Sequence, residues 1–324
     1  MTGTRPRIVV SRWIPDDAVA LLREVGEVWL PEPDRALPAA ELHERLAGAD
    51  AAVVTLSEQA GADFADAAGP QLKVVANVAV GYDNIDVPAL AERGVTVTNT
   101  PGVLTDATAD IAFGLLLSVT RRLGEGERLL RAGTPWSFHL GFMLGSGLQG
   151  KTLGIVGLGQ IGRAMAERAR AFGMSIVYTG RRRAPAEVES ALDATYLPQD
   201  ELLATADVVS LHCPLTPETR HLIDADALAA MKPTAFLVNT TRGPVVDEAA
   251  LAAALREGTI AGAGLDVFEN EPDVHPDLLD LDNVALAPHL GSATVETRTA
   301  MATLAARNVL AVLAGKPPLT EVTP

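Results

Sequence analysis

Cysteine is nearly missing from this chain: Cys213 is the only one among 324 residues. No disulfide can close within it, so nothing in its composition points to an oxidising compartment. Long apolar runs are missing too. The most apolar stretch, Ile111 to Val119, falls well short of the roughly 20 residues a helix needs to cross a bilayer. The opening residues, Met1 to Val10, carry charge without a long apolar region, so no signal peptide is expected. A cytoplasmic protein without a membrane partner is the expectation. Positive charge is in deficit, with 26 Lys and Arg against 41 Asp and Glu and a formal net charge of −15. A nucleic-acid partner, which needs a basic face to displace counterions, is therefore not expected. No histidine shows metal-ligand spacing with acidic or cysteine partners, which argues against a zinc site.

What is present fits an ordinary packed protein. Hydrophobic residues make up 48% and charged residues 21%, and at roughly 150 residues per domain the length suggests two domains. In the first hundred residues, valine-rich runs at Ile8–Val10, Ala51–Thr55, Lys73–Ala76 and Val95–Val97 read as strands. Amphipathic stretches such as Asp16–Glu24 and Ala39–Ala47 read as helices between them. That alternation predicts a parallel sheet with helices on its faces. A helical pattern from about Asp106 to Arg131 reads as one long element linking two domains. The looser segment Ala132 to Gly150 carries Trp136, Phe138 and Phe142, and exposed aromatics of this kind mark an interface. A second alternating region offers six strands: Thr152–Val156, Ser175–Tyr178, Val208–Leu211, Ala235–Asn239, Gly262–Leu265 and Val284–Leu286. That is the count of a complete doubly wound dinucleotide fold. The segment Ala293 to Ala314 reads as a final helix, ended by Gly315 and Pro317 and returning to the first domain.

The strand Thr152–Val156 runs into Gly157-Leu158-Gly159-Gln160-Ile161-Gly162 and then a helical pattern. A glycine pattern alone is weak; placed between a buried strand and a helix it is a dinucleotide fingerprint. The first glycine permits the tight turn, the second a close approach of pyrophosphate, and the third helix-on-strand packing. The helix N-terminus offers unpaired N–H groups to phosphate. At the end of the next strand, an acidic residue normally bonds the adenosine ribose. Here the chain reads Gly180, Arg181, Arg182 and Arg183 instead. Arginines without a repelling carboxylate suit a ribose 2′-phosphate, so NADP(H) is the expected cofactor and NAD(H) the lesser option.

In such a fold ligands bind at the carboxyl ends of the strands. Three consecutive strand ends deliver Thr240, Thr241 and Arg242, then Asp266 with Glu269 and Glu271, then His289 and Gly291. Reduction of a 2-oxo acid needs hydride at C2, a proton for the carbonyl oxygen and an anchor for the carboxylate. Nicotinamide carries hydride, and His289 can give the proton as general acid. A carboxylate nearby favours the protonated imidazole, and spacing alone leaves open whether Glu269 or Glu271 does so. Arg242 can bind the carboxylate and polarise the carbonyl. Asp266 is expected to face the nicotinamide amide. Cys213, beside Pro214 at a strand end, reads as a packed residue lining the cofactor pocket rather than a nucleophile.

Taken together these residues resemble the D-isomer-specific 2-hydroxyacid dehydrogenases over nearly the whole chain. The resemblance is carried by Val80-Gly81-Tyr82-Asp83-Asn84-Ile85-Asp86, Asn99-Thr100-Pro101-Gly102, the Gly157–Gly162 loop, His212-Cys213-Pro214-Leu215-Thr216, Asn239-Thr240-Thr241-Arg242-Gly243, Gly264-Leu265-Asp266 and Pro288-His289-Leu290-Gly291. It implies two doubly wound parallel-sheet α/β domains with a cleft between. One is a flavodoxin-like substrate domain, 1–104 plus 293–324, and the other a Rossmann dinucleotide-binding domain, 105–292. It also implies that the catalytic carboxylate is the one before proline, Glu271. Val80 and Gly81 then offer backbone N–H groups to the substrate carboxylate, and Thr108 touches the nicotinamide side. The Gly180–Arg183 turn and the run Leu104 to Asp110 look most like the glyoxylate/hydroxypyruvate reductase branch, which favours NADPH and forms homodimers through the segment around Trp136. The expected function is reduction of such a small 2-oxo acid to the D-2-hydroxy acid. The alternatives are a sugar-acid reductase of the 2-ketogluconate type and a dinucleotide-sensing binding protein resembling a corepressor.

Overall fold

The computed structural model describes residues 5–324. The expectation about a signal peptide falls partly on residues outside that range. The strands in chain order are β1 (Arg7–Val10), β2 (Glu27–Trp29), β3 (Ala51–Val54), β4 (Val74–Asn77), β5 (Thr96–Thr98), β6 (Thr152–Val156), β7 (Ser175–Thr179), β8 (Ala194–Tyr196), β9 (Val208–Leu211), β10 (Phe236–Asn239), β11 (Gly262–Leu265), β12 (Val284–Leu286) and β13 (Glu321–Val322). They form two sheets in two separate units. One unit runs up to Leu104 and takes in Ala293–Pro324; the other is Thr105–Ser292.

In the first unit the strand order is β13-β5-β4-β3-β1-β2. All pairings are parallel except that of β13, which lies antiparallel on β5. This is the flavodoxin-like order with an antiparallel strand added at one edge. Strands β3 and β4 read Ala-Ala-Val-Val and Val-Val-Ala-Asn and are buried throughout, as befits parallel strands covered on both faces. One face packs Phe64, Leu46 and Leu90, the other Leu22, Val19 and the alanines of the helix Val295–Leu313. That helix starts where Thr294 accepts a bond from the Thr297 N–H at 3.0 Å, satisfying one of its first unpaired donors.

In the second unit the order is β12-β11-β10-β9-β6-β7-β8, all parallel. The order of succession reverses at β6, whose neighbours are β7 and β9, and a doubly wound sheet binds ligands at that switch point. Seven strands stand where the sequence predicts six. The additional one, β8, is a three-residue edge strand too short to show alternation. For the same reason the sequence gives no sign of β2 or β13.

The long helix expected from Asp106 to Arg131 is a pair of helices, Thr105–Thr120 and Leu123–Arg131. No proline marks the break. Arg122 adopts a left-handed conformation, φ 55, and its guanidinium makes a two-pronged bond to Glu125 at 2.6 and 2.7 Å. The Thr120 carbonyl accepts the Ser146 N–H at 2.8 Å instead of continuing the helix. Ser146, 26 residues downstream of Thr120, thus ends the helix, which helical periodicity cannot reveal.

The glycines of β11 show how closely the helix Thr105–Thr120 packs on its sheet. A Cβ at Gly264 would lie 2.9 Å from Leu115 Cβ, and one at Gly262 would lie 2.8 Å from both Val119 Cγ2 and the Asn283 carbonyl. Glycine in a strand interior often marks such an approach. Gly264→Val is expected to destabilise the protein by about 1–3 kcal/mol through overpacking. The urea midpoint measures this, and an unchanged midpoint would show that the helix can move away without cost.

Candidate active site

The glycine loop follows β6 as the sequence predicts. Gly157 has φ +98, and a Cβ there would lie 2.9 Å from the His212–Cys213 backbone. Gly162 approaches so closely that a Cβ would lie 2.4 Å from the Gly157 carbonyl. Gly159 differs: no atom of the described residues lies within 4 Å of a Cβ built there. Two of the glycines are therefore required by protein packing and one faces open space at the start of the helix Gln160–Ala171. That is the cradle a pyrophosphate fits. Gln160 is exposed, Ile161 half-buried and Leu158 packed inside.

Beyond β7, Gly180 is half-buried and Arg181 to Arg183 are exposed. The three arginines do not act alike. Arg183 bonds both oxygens of Glu189 at 2.8 and 2.9 Å, which holds that carboxyl below the usual range. Glu189 also accepts the Tyr178 hydroxyl at 2.5 Å, and Tyr178 in turn accepts the Ala184 N–H. Arg183 thus braces the turn, while Arg181 and Arg182 are exposed, and the Arg181 charge acts on Glu218, whose carboxyl Thr216 and then Arg181 help hold below the ordinary range. After β9, His212 bonds Ser210 Oγ through Nε2 at 2.8 Å, and its Nδ1 is sealed without a partner. Burial pushes its pKa down to about 4. Burial likewise pushes the Cys213 thiol up to about 11, so the thiolate needed for nucleophilic chemistry does not form near neutral pH. Pro214 beside it is exposed.

The ends of β10, β11 and β12 are neighbours in the sheet and are tied to one another. Asn239 at the end of β10 accepts the Thr241 N–H and hydroxyl at 3.0 and 2.8 Å and donates to the Arg242 carbonyl at 2.9 Å. This one side chain folds the Thr240-Thr241-Arg242 turn back on itself. Thr240 is buried with its hydroxyl unpartnered. Gly243 then meets the next turn: a Cβ would fall 1.9 Å from the Phe268 carbonyl carbon and 2.3 Å from the Glu269 nitrogen. Only glycine permits that contact, and the contact sets the Arg242 turn against the turn that carries Glu271.

Asp266 ends β11. Its carboxylate was expected to face a nicotinamide amide, and both its oxygens are engaged by the Leu290 and Gly291 N–H groups at 2.6 and 2.8 Å. Burial raises its pKa despite those bonds and the nearby His289. The His289 N–H donates to the Asp266 carbonyl at 2.9 Å. These bonds hold His289 in a left-handed conformation, φ 53, which non-glycine residues seldom adopt. Thr108 lies against the same turn, with its hydroxyl 3.5 Å from a Cβ built at Gly291.

The structure separates the two carboxylates that spacing left open. Glu269 turns toward the helix Glu248–Glu257, accepting the Glu248 N–H at 3.0 Å while Glu248 accepts the Glu269 N–H at 2.7 Å. His221 Nε2 lies 3.3 Å from it. Glu271 turns the other way. Its Oε1 accepts the Phe268 N–H at 3.0 Å and its Oε2 lies 2.8 Å from His289 Nδ1. Burial works to raise the Glu271 carboxyl, but the His289 bond and charge, the Phe268 N–H and the Arg242 charge bring it below the ordinary range. With Nδ1 bonded to a carboxylate, Nε2 is the ring nitrogen of His289 left for a further partner. Arg242 is half-buried and donates to the Thr241 carbonyl at 2.9 Å. Asn239 and Gly243 stand in a motif of the sequence that assigns them no part, and the pairing of Glu248 with Glu269 has no sign there. A glycine directly after a strand-end arginine was the one available signal.

In the first unit, Val80 and Gly81 lie in the loop after β4 and are half-buried. Among the described residues, no group of His, Cys, Asp and Glu is placed to hold a metal ion, and no helix is long and apolar enough to cross a membrane. The glycines give a paired expectation. Gly243→Ala is expected to lower stability by about 1–3 kcal/mol or more, read from the urea midpoint. Gly159→Ala is expected to change stability by no more than about 0.5 kcal/mol yet to weaken dinucleotide binding in a fluorescence titration. Unweakened binding would remove this loop from the cofactor site.

Residues 113–291 match the family profile described as D-isomer specific 2-hydroxyacid dehydrogenase, NAD binding domain. The glyoxylate reductase of Thermococcus onnurineus is 50% identical, the alignment covering 98% of this chain and 96% of that protein. Among solved structures, a glyoxylate reductase from Paecilomyes thermophila superposes with a TM-score of 0.88 at 36% identity, covering 98% of both chains. An NADPH-dependent glyoxylate/hydroxypyruvate reductase from Sinorhizobium meliloti, in complex with NADP and malonate, superposes with a TM-score of 0.85 at 42% identity, covering 98% of this chain and 97% of that one. Similarity of this extent, on a fold and strand-end residues already placed, makes this chain a member of the D-isomer specific 2-hydroxyacid dehydrogenase family, an oxidoreductase with an NAD binding domain.

Proposed function

We propose that the protein reduces a small 2-oxo acid, glyoxylate or hydroxypyruvate, to the corresponding D-2-hydroxy acid with NADPH, and that His289 is the proton donor. The observation that carries this reading is the 2.8 Å bond between His289 Nδ1 and Glu271. It supports Nε2 as the donor, because the other ring nitrogen is spent on a carboxylate. Arg242 binds the substrate carboxylate and polarises the carbonyl oxygen. The N–H groups of Val80 and Gly81 add to the carboxylate's grip. A bound nicotinamide supplies the hydride to C2. The His289 proton then goes to the carbonyl oxygen, which becomes the hydroxyl, and Glu271 stabilises the ring through both states.

The residues toward the dinucleotide are the Gly157–Gly162 loop, the Gly180 turn, Cys213, Pro214, Thr240, Thr241, Asp266, Gly291 and Thr108. NADPH preference is assigned to Arg181 and Arg182, the two arginines of the turn not bonded to Glu189. The relatives named glyoxylate reductase support the substrate class. The exposed side chains of Phe138 and Leu140, next to Trp136 stacked on Phe142, support a homodimer formed through this segment. The localisation proposed is cytoplasmic.

The test is kcat/KM for glyoxylate, hydroxypyruvate, pyruvate and 2-ketogluconate, each with NADPH and NADH, on a sample whose sedimentation mass is also recorded. Glyoxylate or hydroxypyruvate with NADPH should lead, from a particle of twice the chain mass. Turnover of none of the four would overturn the proposal. Arg181→Asp with Arg182→Ala should cut the NADPH-over-NADH preference by roughly 10–150-fold, the worth of one or two charge-assisted bonds. Glu271→Gln should lower kcat by about 10–100-fold. It should leave NADPH affinity and the thermal midpoint near those of the wild type. An unchanged kcat, or a kcat that falls only together with the midpoint, would assign Glu271 a purely structural part.

A further inference from the structure

The loop after β4 holds three consecutive carbonyls that are all tied down. The Ala79 carbonyl accepts the Thr100 N–H at 2.8 Å. The Val80 carbonyl accepts Asn99 Nδ2 at 2.8 Å. The Gly81 carbonyl accepts Asn77 Nδ2 at 3.0 Å. The N–H groups of Val80, Gly81 and Tyr82 meet no acceptor among the described residues. In a planar trans peptide the carbonyl of one residue and the N–H of the next point in opposite directions. Each tether therefore aims one free N–H: Thr100 that of Val80, Asn99 that of Gly81, Asn77 that of Tyr82. A run of unpaired backbone donors held in fixed directions is a recurring way to bind an anion.

The two asparagines are themselves held. Asn77 is fully buried, and its Nδ2 also donates to Asn84 Oδ1 at 3.2 Å. Asn84 donates to the Thr55 and Glu58 carbonyls, both at 2.9 Å. Asn99 has its own backbone bonded on both sides to Thr320, at 3.3 Å through its N–H and 2.7 Å through its carbonyl. A side chain anchored at its base and spent on one carbonyl acts as a brace rather than as a ligand.

We propose that Asn77 and Asn99 are positioning residues for the substrate carboxylate: they hold the Gly81 and Val80 carbonyls so that the N–H groups of Tyr82 and Gly81 are presented with that of Val80. Tyr82 N–H becomes a third backbone donor. The proposal rests on the reading that this loop takes the carboxylate. These donors grip a group that does not change charge during hydride transfer, so they act on substrate and transition state alike.

The experiment compares the wild type, Asn99→Ala and Asn77→Ala at saturating NADPH, on glyoxylate and on its uncharged ethyl ester, with NADPH affinity and thermal midpoint recorded for each. Asn77 lies in a buried network and its variant can fail to fold; Asn99 is half-buried, and its variant decides the matter. Asn99→Ala is expected to raise KM for glyoxylate about 10–100-fold, the loss of a backbone bond to a charged group. It should keep kcat and NADPH affinity and reduce the preference for acid over ester by the same factor. An unchanged KM and preference, or a fall in midpoint and kcat with the preference intact, overturns the positioning role. A wild type that reduces the ester as well as the acid overturns the parent reading that this loop grips a carboxylate.

Discussion

The candidate site depends on how backbone polar groups are satisfied where three adjacent parallel strands end. A sheet ladder stops at the last strand residue, and the N–H and carbonyl groups beyond it need new partners. Asn239 supplies them for the turn after β10, and Asp266 supplies them for the turn after β12. The Gly243 contact locks the first of these turns to the one after β11. Arg242, Glu271 and His289 are carried by turns tied down by these bonds and contacts. Side chains held in this way need little reorganisation to meet a ligand.

The same economy sorts side chains of like charge. Glu269 and Glu271 are two residues apart, yet one is bonded to the backbone of Glu248 and the other to His289. Two anions on one imidazole would compete; one anion on it and one at a helix N-terminus are each stabilised. The arginines after β7 divide likewise. Arg183 neutralises Glu189 within the turn, and the remaining pair carries the exposed positive charge. In a chain of net charge −15, an anionic ligand is drawn by such local excess rather than by the overall field.

The exposed segment from Leu123 to Leu144 stands outside this economy. The helix Leu123–Arg131 buries none of its residues, and Phe138 and Leu140 are 82% and 89% exposed. The apolar side chains of this helix recur at helical spacing, so its pattern reads as a continuation of the helix before it. The break between them is made by Ser146 binding the Thr120 carbonyl, a partner no local window contains.

The sequence by itself determined the class of fold, the strands β6, β9, β11 and β12 to the residue, the glycine loop, and the gathering of Arg242, Asp266 and His289 on one sheet edge. It could do so because parallel buried strands are continuous apolar runs, and because glycine between strand and helix has few other uses. Only the tertiary structure decided which glutamate meets His289, that Arg183 is spent on Glu189, that Asp266 clamps the His289 turn, and that asparagines brace the Val80–Gly81 loop. Those outcomes turn on side-chain hydrogen bonds made in turns, some of them short-range, as from Asn77 to Gly81, and some spanning the chain, as from Leu290 to Asp266. Residue spacing carries the direction of a side chain along a helix or strand, and loses it in the turns where this chemistry sits.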